Sequence, residues 1–423
     1  MGDPAARPKP AISRAEWGLL LLLAAVQFTN ILDFVIIMPL APLAKRDFGI
    51  NSTQFGHVVA AYGFASFAGS ILAANFLDRF GRKTALLTLY LGFTISTLLC
   101  GLAPTYETLV GARALAGLFG GVVGSAVYAI VGDVFADYRR GTATGVIMSS
   151  FAVASIVGVP IGLMLAEAFG TGAPFIALAG AAAVVWVGNF FVLPSLREHL
   201  AHGHPPASLV RLALEPNHQL AFAFSVSLVF GSFTIVPFLA DSLVANAGQK
   251  VENLKYVYVV AGLATLVSMN VIGRWADHAG KLLVFRIMAT AAIATALLLT
   301  NLPPVPLWVA IAGSTAFMVA TSGRMVPAQA MLTGAAAPAV RGGFLSLNAA
   351  VQSAAMGLAS LIAGLLINQD PATGRLNGYP VVGLLAAGSA LVSLLLGGFL
   401  RRADATPTPI PARDGPAVAE AAA

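Results

Sequence analysis

A chain of 423 residues that is 58% hydrophobic and only 10% charged, with a mean hydropathy of +0.84, lies far outside the balance of a water-soluble domain. Water is not the solvent for most of its surface, and the formal net charge of +6 is accounted for below by topology, which excludes a nucleic-acid partner. The one cysteine, Cys100, lies inside an apolar run and can form no intramolecular disulfide, so it says nothing about redox compartment.

Apolar stretches long enough to cross a hydrocarbon core occur twelve times, near 17–41, 54–76, 84–103, 106–132, 142–167, 173–193, 218–244, 253–276, 282–301, 305–333, 342–368 and 378–400. The first run is long enough to span and has no small-residue cleavage site behind a short apolar core, so it is expected to stay as the first helix. The fold class that follows is an all-α polytopic membrane protein with twelve transmembrane helices. Between the sixth and seventh runs, Ser195 to Asn217 is polar and carries Arg197, Glu198, His199, His202, His204, Pro205, Pro206 and Arg211. The domain reading is an N-terminal tail (1–16), a six-helix bundle (17–194), a cytoplasmic linker (195–217), a second six-helix bundle (218–400) and a disordered tail (401–423), which is rich in Ala, Pro and Asp.

The halves repeat. Pro39 corresponds to Pro237, Gly63 to Gly262, Asp78 to Asp277, Gly81 to Gly280 and Arg140-Gly141 to Arg341-Gly342, at offsets of 198 to 201 residues. Two pseudo-symmetric bundles meeting at a mid-membrane cavity permit one half to rock against the other around a central site. Seventeen Lys and Arg residues fall in connections and tails on one side, against Lys45, Arg46, Lys250, Lys255 and Arg375 on the other. Positive connections stay inside, which predicts both termini in the cytoplasm, as an even number of spans requires.

Asp33 sits about two-thirds of the way along the first apolar run. A bare carboxylate at such a depth costs roughly 2.5–3.5 kcal/mol. A buried basic partner, a water-filled path or a proton that comes and goes would compensate, and each points to a machine that moves solute. At ~1.5 Å per residue, Asp33 lies roughly 12 Å from the outer end of its span and Arg113 roughly 11 Å from the outer end of the fourth, so the two can meet. Burial and a neighbouring guanidinium act in opposite senses on a carboxylate's proton affinity, so movement of water or Arg113 could switch it. Either a titrating site or a permanent ion pair fits this pattern. Gln27 and Asn30 precede Asp33 at three-residue intervals, to line a cavity or to satisfy polar groups between helices.

In the second half, Arg324 lies roughly 13 Å from the inner end of the tenth span, with no evident acid at that depth. Asn348 and Gln352 on the eleventh span fall at comparable depth and offer amide oxygens. An unpaired Arg324 would suit an anionic or polyhydroxy substrate. One bonded to Gln352 and to a carbonyl freed near Pro327 would be structural.

After the second span the sequence reads A-N-F-L-D-R-F-G-R-K, Ala74 to Lys83, and after the eighth G-R-W-A-D-H-A-G-K, Gly273 to Lys281. This resembles the loop signature of the major facilitator superfamily, G-x-L-A-D-R-x-G-R-K, with Ala74 in place of the usual Gly. A loop this tight needs Gly81 for its turn, and Asp78 can accept the exposed amides of a neighbouring helix N-terminus. The resemblance implies Asp133 as the partner of Arg82, and an inner gate of Asp78, Arg82, Asp133, Asp277 and Lys281. The bland alternative is that these charges only mark topology.

The run L-V-G-A-R-A-L-A-G, Leu109 to Gly117, is similar to a second motif of that superfamily, centred here on Arg113. On the fifth span, Gly145, Gly158 and Gly162 fall at spacings similar to the antiporter motif of its exporters. Ala154 and Leu163 replace glycines, and Pro160 comes one residue late. Small residues allow close helix packing and the proline bends the helix. The run from Gly132 through Gly162, with G-R-M-V-P at Gly323 to Pro327, looks most like the sugar and drug efflux branch, often described as arabinose-efflux-permease-like.

There is no G-x-x-x-x-G-K-[ST], H-E-x-x-H or G-x-S-x-G, so an ATPase, zinc protease or serine hydrolase by those devices is not indicated. His57 and the linker histidines form no metal constellation. The resemblance implies a secondary transporter, not an enzyme, with no cofactor, in a bacterial plasma membrane. It would export a small organic solute in exchange for protons, through Asp33 and Arg113, past the cavity residues Gln27, Asn30, Arg324, Asn348 and Gln352. No obligate protein partner is inferred.

Overall fold

The computed structural model describes residues 13–76, 80–135, 137–195, 209–338 and 340–403. Asp78, most of the 195–217 linker with His199, His202 and His204, and the tail beyond Ala403 lie outside the described residues.

The first half comprises α1 (Arg14–Ile36), α2 (Ala41–Phe48), α3 (Ser52–Phe76), α4 (Arg82–Gly101), α5 (Tyr106–Val134), α6 (Asp137–Val153), α7 (Val159–Phe169) and α8 (Ala173–Val192). The second has α9 (Leu209–Leu214), α10 (Pro216–Phe233), α11 (Leu239–Ala245), α12 (Leu254–Ala279), α13 (Lys281–Thr300), α14 (Leu307–Ala335), α15 (Arg341–Leu366) and α16 (Tyr379–Phe399). Some helices join end to end, and among the described residues twelve spans are long and apolar enough to cross a membrane. With an even number, both described chain ends lie on one side, called here the terminal face. A two-residue hairpin, β1 (Asn368–Gln369) with β2 (Leu376–Asn377), joins α15 to α16 on the other side.

Local chemistry sets the breaks. Ser13 and Glu16 form a reciprocal cap at the start of α1. The first apolar run does not continue as one helix to Ala41 as expected. Pro39 has no amide to donate, α1 stops at Ile36, and Met38 and Ala41 make tighter turns onto Val35 and Met38 before α2 begins. The seventh run breaks in the same way at Pro237, between α10 and α11. The fifth span carries a π-helical turn at Ala154–Gly158, where Val159 donates to the Ala154 carbonyl immediately before Pro160.

The halves meet along two related seams. In the tighter, α3 packs on α15. A Cβ on Gly63 would stand 2.8 Å from the Gly357 amide, and one on Gly56 2.8 Å from the Ser360 carbonyl, so only hydrogen fits there. Thr53 donates to the Gly364 carbonyl (2.9 Å) and Ser66 to Ser353 (3.2 Å) along this seam. In the looser, Gly262 of α12, the repeat counterpart of Gly63, faces Ile156 in the π turn.

The buried core is shared on one side and divided on the other. Toward the face opposite the termini, one cluster draws Ile37, Phe55 and Leu163 from the first half together with Phe238, Leu243 and Tyr379 from the second. Toward the terminal face the halves keep separate cores, one around Leu23, Phe93 and Ile130 and one around Phe224, Phe285 and Phe344. On the opposite face Asp47 ties α2 to the turn before α8, accepting from the Thr171 hydroxyl (2.6 Å) and amide (3.2 Å). Burial alone would raise this carboxyl, yet Thr171 and Arg46 outweigh it and hold it below the usual carboxylate range.

Replacing Gly63 with Leu is expected to part α3 from α15. Spin labels on exposed Asn51 and Leu365 should then report a longer, broader distance distribution than in the parent, and an unchanged distribution would refute the seam's role.

Candidate functional site

The line of Gln27, Asn30 and Asp33 along α1 lies against a glycine-rich face of α5. Asn30 donates to the Gly120 carbonyl at 3.1 Å, and Gln27 lies over Gly124. At the end of this line the Arg113 Nη1 donates to the Asp33 Oδ2 (2.9 Å) and to its backbone carbonyl (3.1 Å). Both side chains have no exposure to solvent. Thr97 of α4 donates to the other carboxylate oxygen at 3.0 Å, and the Tyr62 ring of α3 lies 4.5 Å from the guanidinium carbon. Four helices thus converge on one charge pair. Sequence depth brought Asp33 and Arg113 together; it did not reveal Thr97 or Tyr62, since a threonine or tyrosine in an apolar span can as readily bond its own helix.

Arg324 of α14 has a different environment. It is 2% exposed, and its Nη2 donates to the Leu228 carbonyl (3.2 Å) and the Ser232 hydroxyl (2.9 Å) of α10. The arrangement with Gln352 and a carbonyl near Pro327 does not occur: Arg324 donates to α10 instead, and Gln352 donates its Nε2 to the Ser225 hydroxyl of α10 at 2.8 Å. Asn348 is buried one turn away on α15, with its Oδ1 unpartnered among the described residues.

At the terminal face Arg82 Nε meets the Asp133 carboxylate at 2.9 Å, joining the start of α4 to the end of α5. The second half does not repeat this. Asp277 and Lys281 are exposed and form no ion pair among the described residues, and Gly334 stands where the 201-residue offset would put a counterpart of Asp133. On the fifth span, Gly158 and Gly162 receive Leu32 and Ile36 of α1, and Pro160 is buried. Gly145 departs from expectation, since a Cβ there would meet nothing within 4 Å. His57 bonds the Tyr106 hydroxyl at 2.9 Å, and among the described residues no group of three metal-ligating side chains forms.

A pair that the sequence reading missed bridges the halves on the opposite face. Lys45 Nζ of α2 lies 2.8 Å from the Asp241 carboxylate of α11, with both side chains 7% exposed, and also donates to Ser52. Lys45 reads in sequence as a loop charge. The available signal was the repeat itself, for each residue follows its half's proline break, Pro39 or Pro237, by a few positions.

Twelve spans in two related bundles, with a charge pair sealed inside one of them, define a polytopic transport protein. The Major Facilitator Superfamily model matches residues 23–322, and the chain belongs to that family of membrane transporters. An uncharacterized MFS-type transporter, YceJ of Bacillus subtilis (strain 168), is 25% identical over 85% of this chain and 92% of its own length. Multidrug resistance protein 2 of the same organism is 26% identical over 53% of this chain and 57% of its own. The crystal structure of a bacterial homolog to the human lysosomal transporter Spinster, in an inward-facing and unoccupied conformation, shares the fold with a TM-score of 0.69 at 15% identity, covering 92% of this chain and 95% of that one.

Removing one member of a fully buried pair strands the other in a medium that cannot solvate it. Asp33→Ala is expected to lower stability by about 3–5 kcal/mol, whereas Asp33→Leu with Arg113→Leu should lose much less. Melting of the purified variants in detergent checks this ordering, and equal losses in the two would contradict it.

Proposed function

We propose that this protein is a secondary active exporter that carries a small organic solute across the bacterial plasma membrane, both termini in the cytoplasm, while protons enter. The observation that carries the reading is the sealed Asp33–Arg113 pair, held from four helices beside the polar line of Gln27 and Asn30. A carboxylate alone in an apolar span has few uses as costly as this, and a proton acceptor whose partner moves with the helices is one. Asp33 is the proton carrier in this reading and Arg113 its charge partner. Relatives named as multidrug resistance proteins favour a drug as the solute, with sugars and other metabolites as further candidates.

Alternating access is the mechanism in this reading, and the cores support it. The shared core and the Lys45–Asp241 bridge support a state closed at the face away from the termini, and the divided core supports entry of solute from the terminal face. Opening the other way requires Lys45 and Asp241 to part and the terminal face to close, where Asp78, Arg82 and Asp133, with Asp277 and Lys281, form the inner gate.

A second reading has a specific observation behind it. Neither Asp33 nor Arg113 touches solvent in this state, which also suits a permanent ion pair in a proton-independent facilitator. Proteoliposomes separate the two. An imposed pH gradient is expected to drive uphill movement of solute by the parent and not by Asp33→Asn, which keeps an oxygen for Arg113; uphill transport surviving intact in that variant would sink the proton role.

The bridge between halves has its own test. Lys45→Met should raise the labelling, by an impermeant thiol reagent applied from the outer side, of a cysteine placed at Ser360 in a Cys100→Ser background. The swap Lys45→Asp with Asp241→Lys should bring labelling back toward the parent rate. No change in the single variant would show that the pair does not hold that face closed.

A further inference from the structure

We propose that Arg324 is the binding site for a carboxylate carried by the transported solute, an inference that rests on the transporter reading above and names its substrate class.

Among the described residues two arginines are buried in the membrane interior, and their charges are met differently. Arg113 has Asp33 against it at 2.9 Å. Arg324, 2% exposed, has only neutral acceptors, the Leu228 carbonyl and the Ser232 hydroxyl, both on Nη2. Among the described residues no carboxylate lies within 4 Å of it, and its Nε and Nη1 have no hydrogen-bond partner. A guanidinium does not escape by shedding its proton. A buried cation of this kind is stabilised fully only by an anion, and the described residues supply none there.

The place of Arg324 in the fold makes that anion a solute. Along α14, Ala310 and Phe317 belong to the core shared by both halves, Ala328 and Leu332 belong to the core of the second half alone, and Met325 packs against both. Arg324 therefore stands at the level where the halves begin to part. Gln27 and Asn30 stand at the same transition on α1, between Val26 of the divided core and Ile36 of the shared one. One face of α10, formed by Ser225, Leu228 and Ser232, holds both Arg324 and the half-exposed Gln352. Thr321, one turn from Arg324 on α14, has its hydroxyl unpartnered. The site thus offers one full positive charge with unused N–H groups, in a neutral polar setting, beside a side chain that reaches accessible space.

Charge balance selects the ligand. One guanidinium with no second cation in the cluster neutralises one negative charge, so a monoanionic carboxylate is matched, while a phosphate dianion would leave a charge uncompensated.

The test uses the full-length purified protein and three aromatic carboxylates, benzoate, phenylacetate and cinnamate, each beside its own primary amide. The acids are expected to raise the melting temperature saturably and the amides are not. Arg324→Gln should abolish the difference between acid and amide, and Arg324→Lys, which keeps the charge, should retain it in weakened form and guard against a folding defect in the first variant. Acids and amides acting alike on the parent, or an acid effect undiminished in Arg324→Gln, would overturn the proposal. Counterflow distinguishes this from failure of the transporter reading: exchange of a neutral solute by the parent, together with acids and amides acting alike on it, leaves the exporter standing and removes the carboxylate site. An acid effect that requires Arg324 in a protein showing no counterflow of any solute, these acids included, would do the reverse.

Discussion

A charge placed in hydrocarbon must be compensated, and this demand organises the protein more than any other. The first half answers it internally. Asp33 and Arg113, both without solvent exposure, neutralise each other, with Thr97 donating to the carboxylate and the Tyr62 ring against the guanidinium. The contact binds α1 to α5 while α3 and α4 close around it, so four helices share one charge pair. The second half has no such answer. Arg324 leans on a carbonyl and a hydroxyl, and the duplication that aligns the two halves so well in their prolines and loop motifs has diverged at their charged centres.

In the proposed function that divergence divides the work of the halves. The sealed acid–base pair is assigned to protons, and the cation with neutral partners to solute. Mechanical joining falls to other residues. The glycines of α3 and α15 let backbones touch, and Lys45 with Asp241 adds a charge bridge at the face away from the termini. Besides its glycines, this seam is tied by hydroxyl hydrogen bonds such as Thr53 to Gly364 and Ser66 to Ser353, which exchange readily, whereas an ion pair shielded from water is an all-or-none contact. Alternating access as proposed above would use both, a seam along which the halves move and a bridge that holds discrete positions.

Much of the fold could be read from residue order. Runs of apolar residues located all twelve spans, the repeat offsets divided the chain, and helical rise placed Asp33 and Arg113 at one depth. The breaks at Pro39 and Pro237 were present as prolines, although apolar length argued for unbroken helices. The site was legible only in part. Arg82 with Asp133 came from a motif, but Lys45 with Asp241, separated by 196 positions, could not, because each taken alone is an ordinary charge near the end of a span.

Hydropathy, proline and glycine act on their own neighbourhood, so the sequence by itself determined where helices run, where they break and which of them carry an ionisable group. Partner choice is not local. Whether Arg324 meets Gln352 or Ser232, whether Gly145 packs or faces open space, and whether Lys45 is a loop charge or a bridge depend on where rigid helices come to rest across the bundle. Only the tertiary structure decided these, because a side chain a few ångström long finds its partner by the sub-helical-turn register of elements far apart in the chain.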